Sequence, residues 1–222
     1  MTCVLVVAPH PDDESLGCGG TLLRHRADGA EVHWVIVTEM SVDAGYSAER
    51  IAAREAEIHE VAGRYAFAGV HRLGLPTVYL DTLPMGEVVG AIAAVVNQVA
   101  PTHVYVPHRH DVHSDHTVVF DAVVAATKSF RCPSIRALMT YETLSETDFA
   151  VRPDGLFRPN LFVDVTDHLE EKLAILELYG HEMQPFPFPR SREAVAALAA
   201  LRGTQAGVAA AEAFTILKEI RP

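Results

Sequence analysis

The sequence predicts an α/β fold: a Rossmann-like, mainly parallel sheet flanked by helices, with a C-terminal helical elaboration. Three observations predict it. Strand-like apolar runs alternate with helix-like stretches along most of the chain, the pattern of βαβ units with right-handed crossovers. Two clusters of histidine and carboxylate, His10-Pro11-Asp12-Asp13-Glu14 and His113-Ser114-Asp115-His116, each follow such a run. Ligand sites in open α/β sheets lie off the carboxyl ends of strands. The 222 residues are 49% hydrophobic and 21% charged, which suits one soluble domain over residues 1–222.

The elements follow in order. Val4-Leu5-Val6-Val7-Ala8 is a strand, and a helix over residues 16–28 stops at Gly29. Residues 31–38 are the second strand, followed by a polar loop over 39–46. Ser47-Ala48-Glu49-Arg50 opens a helix rich in Ala, Glu and Arg that runs to residue 66. Residues 71–74 are a short strand, 84–100 a helix, 102–106 a strand, 115–129 a helix and 137–140 a strand. Past Tyr141 the pattern changes: 142–160 reads as loop, 161–165 as strand and 167–182 as helix. Gln184-Pro185-Phe186-Pro187-Phe188-Pro189 cannot be helix and reads as an extended surface segment. Two Ala-rich helices, 191–202 and 208–218, finish the reading.

Composition narrows the function. No apolar stretch reaches the roughly 18 residues of a membrane span, so membrane insertion is not expected. Residues 1–8 lack a basic flank and run straight into the first cluster, so they read as a core strand rather than a leader. The net charge of -11, with no Lys/Arg cluster, argues against nucleic acid as a partner. Cys3, Cys18 and Cys132 lack metal-type spacing and read as reduced thiols of a cytoplasmic protein. Cys18, inside Gly17-Cys18-Gly19-Gly20, reads as tight packing near a helix start rather than a ligand.

The two clusters carry chemistry. A catalytic zinc takes three protein ligands and keeps one position open. His10, one of Asp12 and Asp13, and one histidine of the second cluster meet that count. Consecutive side chains on a turning backbone point apart, so one carboxylate faces the ion and its neighbour faces the water as general base. Zinc lowers the pKa of that water to about 7. The remaining histidine of His113 and His116 stabilises an oxyanion or protonates the leaving group, with Asp115 holding its ring. His25, His33, His59, His71, His103 and His168 have no carboxylate company and read as surface or satisfied core residues. His108, His110 and His181 are left open as pocket-lining groups.

These motifs resemble the LmbE-like, or PIG-L-type, zinc-dependent N-deacetylases. Their opening signature, A-H-P-D-D-E before a Gly-rich helix start, reads here from Ala8 to Gly20 with Pro9 inserted before His10. Their second, H-x-D-H before a helix, is His113-Ser114-Asp115-His116, with serine where proline is common. Arg54 and Glu57 match an R-x-x-E pair, and residues 107–111 match the loop before the second signature. Lys172, Arg202-Gly203, Gly207, Ala211-Glu212-Ala213-Phe214 and Pro187-Phe188-Pro189-Arg190-Ser191 match a subgroup of sugar deacetylases. One departure is Thr38-Glu39-Met40-Ser41, where the family often has T-x-G.

The resemblance implies that His10, Asp13 and His116 bind Zn2+ or another divalent transition metal and that Asp12 is the general base. It implies that His113, supported by Asp115, polarises the amide or stabilises the oxyanion, and that Arg54 contacts substrate hydroxyls or a phosphate. The implied reaction removes an N-acetyl group from a small-molecule N-acetylglucosaminyl conjugate. The alternative is an amidase acting on another N-acyl or thiol-sugar conjugate amide, and the non-enzymatic reading is a carbohydrate-binding or assembly module. The absence of a basic amphipathic helix makes a phosphatidylinositol conjugate the least expected substrate. A homo-oligomer remains open.

Overall fold

The computed structural model describes residues 2–151 and 153–221. Seven strands form one sheet: β1 (Cys3–Ala8), β2 (Glu31–Glu39), β3 (Gly69–Pro76), β4 (His103–Pro107), β5 (Ala137–Tyr141), β6 (Leu161–Asp164) and β7 (Ala211–Glu219). Their order is β3-β2-β1-β4-β5-β7-β6. The first five are parallel, while β7 runs antiparallel to both β5 and β6. Among the described residues, six α-helices connect and cover them: α1 (Asp13–Ala27), α2 (Ala48–Tyr65), α3 (Met85–Val99), α4 (Ser114–Ala126), α5 (Leu169–Leu176) and α6 (Arg192–Ala206).

The period-2 alternation of a strand divides the core. Val4, Val6 and Ala8 pack with α1, α2 and α5, whereas Leu5 and Val7 pack with α3 and α4. Strand order reverses between β1 and β4, the pair that carries the two polar clusters at its ends, and the crevice at such a reversal is where ligands bind. Helix α2 shows how the sequence builds a wall of that crevice. Ser47 Oγ accepts the Arg50 N–H at 3.2 Å, and Arg54, Ile58, Val61 and Tyr65 bury one helical stripe.

Helix α1 is two helical pieces joined at Cys18 (φ -146°). The freed backbone groups are satisfied by a buried ion pair. Glu212 accepts the N–H groups of Gly20 (2.9 Å) and Thr21 (2.7 Å), and Lys172 Nζ donates to Leu16 O (2.9 Å) and to Glu212 (2.6 Å). Gly17 is required there, because a Cβ would stand 2.1 Å from the Tyr141 ring.

Three expectations are corrected. Residues 208–218 are not helix: Gly207 ends α6 in the left-handed conformation (φ 74°), and the chain then enters β7 between β5 and β6. Alanine masked a strand whose Phe214-Thr215-Ile216 favour that conformation; Phe214 is fully buried, edge-on to Tyr105 at 5.1 Å. The C-terminal elaboration is therefore a strand pair with two helices. The helix expected over 167–182 is α5 alone, and turns follow, with Tyr179 O accepting the N–H of Glu182 (2.9 Å). The proline segment is turned rather than extended, with Phe188 N–H donating to Pro185 O at 3.1 Å. Among the described residues no helix is long and apolar enough to cross a membrane.

Candidate active site

Asp12 sits just past β1 with φ 136° and ψ -29°, a conformation that costs a non-glycine residue on the order of 1–3 kcal/mol. Its neighbours enforce it. The Asp12 N–H donates to Glu14 Oε2 at 3.1 Å, and Glu14 Oε1 accepts from Ser15 Oγ (2.6 Å) and Tyr179 OH (2.8 Å). Thr38 pins the preceding turn, giving both its N–H (3.0 Å) and its hydroxyl (2.8 Å) to Pro9 O. The twist sends the adjacent carboxylates apart. Asp12 Oδ2 accepts from Arg190 Nη1 at 2.8 Å, while Asp13 turns toward two imidazoles.

Those imidazoles arrive from different strand ends. His10 Nδ1 lies 3.3 Å from Asp13 Oδ2, and its Nε2 lies 3.0 Å from Asp115 Oδ2. His116, in the first turn of α4, has Nδ1 fixed 2.8 Å from Asp111 Oδ2, while Thr147 Oγ1 donates to Asp111 Oδ1 at 2.7 Å. This leaves His116 Nε2 facing Asp13, 3.3 Å from its Oδ2 but not aligned as a hydrogen bond. Donor atoms of His10, Asp13 and His116 lie within 4.8 Å of one another, and those of His10, His113 and Asp115 form an overlapping group.

The electrostatics ask for a cation. Asp13 Oδ1 and His116 Nε2 are buried without a hydrogen-bond partner among the described residues, and an unsatisfied buried polar group costs about 1–3 kcal/mol. Burial disfavours charge on both imidazoles, yet the carboxylates outweigh it. Asp115 and Asp13 raise His10 to about 9, and Asp13 and Asp111 raise His116 well above its usual range. Two nitrogens and a carboxylate oxygen are the donor set of a catalytic zinc, and a bound ion would replace these protons. Burial acts on Asp12 in the other direction, lifting it to about 7 against the pull of Arg190.

The cluster opens on a cavity of about 220 Å³, whose wall includes Asp12, Thr38, Arg54, His113, Glu182 and Arg190. Two sequence expectations change here. Asp115 does not hold the His113 side chain: its carboxylate binds His10 and the N–H groups of Val78 (2.8 Å) and Leu80 (3.3 Å), and lies 3.9 Å from His113 Nδ1. Because His113 caps α4, its Nδ1 accepts the Asp115 backbone N–H at 3.1 Å instead. Arg54 lines the cavity, but it donates to Pro11 O (2.6 Å) and Glu182 and is ion-paired with Glu57 (3.3 Å). His108, hydrogen-bonded to Gly155 O at 2.9 Å, lies outside the wall, as do His110 and His181. Sequence reasoning missed Glu182, Asp111 and the position of Arg190, although the P-x-P-R-S match had marked the last.

A family model described as GlcNAc-PI de-N-acetylase, PIG-L, matches residues 5–127, a span that contains both polar clusters. The chain belongs to the PIG-L family. A 1D-myo-inositol 2-acetamido-2-deoxy-alpha-D-glucopyranoside deacetylase from Rhodococcus opacus is 35% identical over 131 residues, covering 58% of this chain and 42% of the relative. The match thus spans under half of that protein. A diacetylchitobiose deacetylase from Thermococcus kodakarensis is 28% identical over 194 residues, covering 83% of this chain and 70% of the relative. Among solved structures, the conserved protein TT1542 from Thermus thermophilus superimposes with a TM-score of 0.78 at 28% identity, covering 100% of this chain and 97% of that one. The PIG-L match ends before Glu182 and Arg190, so this wall of the cavity belongs to the part beyond the family model.

Proposed function

We propose that this PIG-L protein is a zinc-dependent N-deacetylase that removes the acetyl group from an N-acetylglucosaminyl conjugate. The observation that carries the reading is the pair of buried, unpartnered donors, Asp13 Oδ1 and His116 Nε2, next to a cavity lined by Asp12. His10, Asp13 and His116 would hold the ion. When bound, zinc supplies a Lewis acid that acidifies water and polarises an amide carbonyl.

The chain's own residues supply the proton chemistry. Asp12, with its pKa near 7, exchanges protons readily at neutral pH, as a general base requires. It takes the proton of the attacking water, and the hydroxyl joins the acetyl carbon. As the C–N bond breaks, Asp12 returns the proton to the departing nitrogen, releasing acetate and a free amine. His113 serves the oxyanion. Its Nδ1 accepts a backbone N–H, which assigns the ring proton to Nε2, and burial beside His10 lowers its pKa to about 4. The ring is therefore neutral and donates a hydrogen bond rather than a proton. Arg54 and Glu182 form a polar wall suited to sugar hydroxyls.

The substrate class follows the names of the family and of its relatives, which refer to deacetylation of N-acetylated sugars. The three unpaired cysteines suit a cytoplasmic setting. Protein stripped of metal by a chelator is expected to release no acetate from a panel of N-acetylglucosaminides and to regain release when zinc is added. Release that survives chelation overturns the metal dependence; no release from any glucosaminide overturns the substrate class.

A further inference from the structure

The sheet carries a second group of metal-type donors at the end away from the cavity. Cys3 opens β1 and Glu31 opens β2, and the two are paired in register. His33 lies two residues beyond Glu31 and so shares its face. One donor atom from each of Cys3, Glu31 and His33 lies within 4.8 Å of the others. From Cys3 to His10 the chain rises seven residues along β1, on the order of 20 Å, so this group and the catalytic cluster are separate. The spacing of the cysteines could not reveal it, because its donors come from two strands.

We propose that Cys3, Glu31 and His33 bind a divalent cation of the zinc class that ties the start of β1 to the start of β2. Thiolate, imidazole and carboxylate are all zinc donors, and the thiolate selects against magnesium and calcium. The backbone presents the thiol rigidly: Cys3 N–H donates to Thr102 Oγ1 at 3.0 Å, and Cys3 O accepts the Thr102 N–H at 2.8 Å. The thiol's own hydrogen bond is weak, reaching Val99 O at 3.9 Å, and little is lost when a cation displaces it. His33 Nδ1 lies 3.3 Å from His71 Nε2, the outer hydrogen bond that orients ligating imidazoles. Cys3 and His33 are partly exposed and Glu31 is exposed, so the cation has an entry path. Binding expels the thiol proton to solvent, and thiolate plus carboxylate balance the double positive charge.

Cobalt separates this site from the catalytic one, whose proposed ligands include no sulfur. Metal-free full-length protein titrated with Co2+ is expected to take up two ions and to develop a thiolate-to-cobalt charge-transfer band in the near ultraviolet. Cys3→Ser should bind one ion without the band, His116→Ala should keep the band, and His71→Ala should weaken the banded site about 10–100-fold. No band in the wild type overturns the proposal. So does a band that survives Cys3→Ser, which would belong to Cys18 or Cys132, or one that survives Glu31→Gln with His33→Ala, which would report a lone thiolate.

Discussion

Asp12 faces Arg190 and Asp13 faces two imidazoles, so one chemical change at two adjacent positions should have two outcomes. Asp12→Asn is expected to keep its zinc and lose about 10²–10⁴-fold in kcat, the usual contribution of a general base. Asp13→Asn removes a proposed ligand and is expected to lose the metal itself. Metal content and acetate release, measured side by side, decide it; equal metal loss in both variants would show that the carboxylates are sorted wrongly. That His10, Asp13 and His116 come together was legible, because each signature is contiguous and follows a strand, which brings them to one crevice once the strands pair. The place of Arg190 was not, although the P-x-P-R-S match marked the residue, since its bond to Asp12 spans 178 positions. Asp115 was misread for a different reason. Its assignment depended on which ring nitrogen the α4 cap would claim, and only the cap geometry shows that the backbone N–H takes His113.

The break in α1 puts a lysine and a glutamate where neither is solvated, and each is needed by the other. Glu212→Ala should cost about 3–5 kcal/mol, the penalty for leaving a buried charge unpaired, read from denaturant unfolding at constant slope. Lys172→Met combined with Glu212→Gln should recover much of that loss, because no charge is stranded and the glutamine oxygen still accepts a helix N–H. A double variant as unstable as the single one would show that Lys172 contributes by packing rather than by charge. The same residues explain why one element was read wrongly. The run from Val208 to Phe214 is Ala-rich and taken alone suits a helix, but Glu212 is held by α1 and its neighbours complete the ladders of β5 and β6. Tertiary pairing overrode local propensity. The parallel half of the sheet was easier to read, because its apolar runs leave little alternative to buried strands.

Taken as a whole, the chain buries titratable groups of opposite tendency, and its acid response is their difference. His25, hydrogen-bonded to Tyr105 OH at 2.8 Å, is held down to about 4 by burial beside His103. Its contribution is fully present above pH 6.5, the unfolded value, and is lost as pH falls toward 4, because the unfolded chain binds the extra proton first. Glu14, raised to about 7 by burial, acts oppositely, favouring the folded state as pH drops. The test is therefore a comparison: the stability gap between wild type and His25→Gln should shift against wild type by roughly 1–3 kcal/mol from pH 7 to pH 4. A gap that stays constant with pH would show that His25 titrates normally. Topology also sets an order in time. The three proposed metal ligands lie between residues 10 and 116, just past two strands that pair with one another, β1 and β4, whereas Glu182 and Arg190 come much later in the chain. At roughly 5–20 residues per second, a ribosome completes the ligand set on the order of ten seconds before it delivers the far wall. The wall that narrows the opening is thus the last part of the cavity to leave the ribosome, together with Tyr179, whose hydroxyl holds Glu14 behind Asp12.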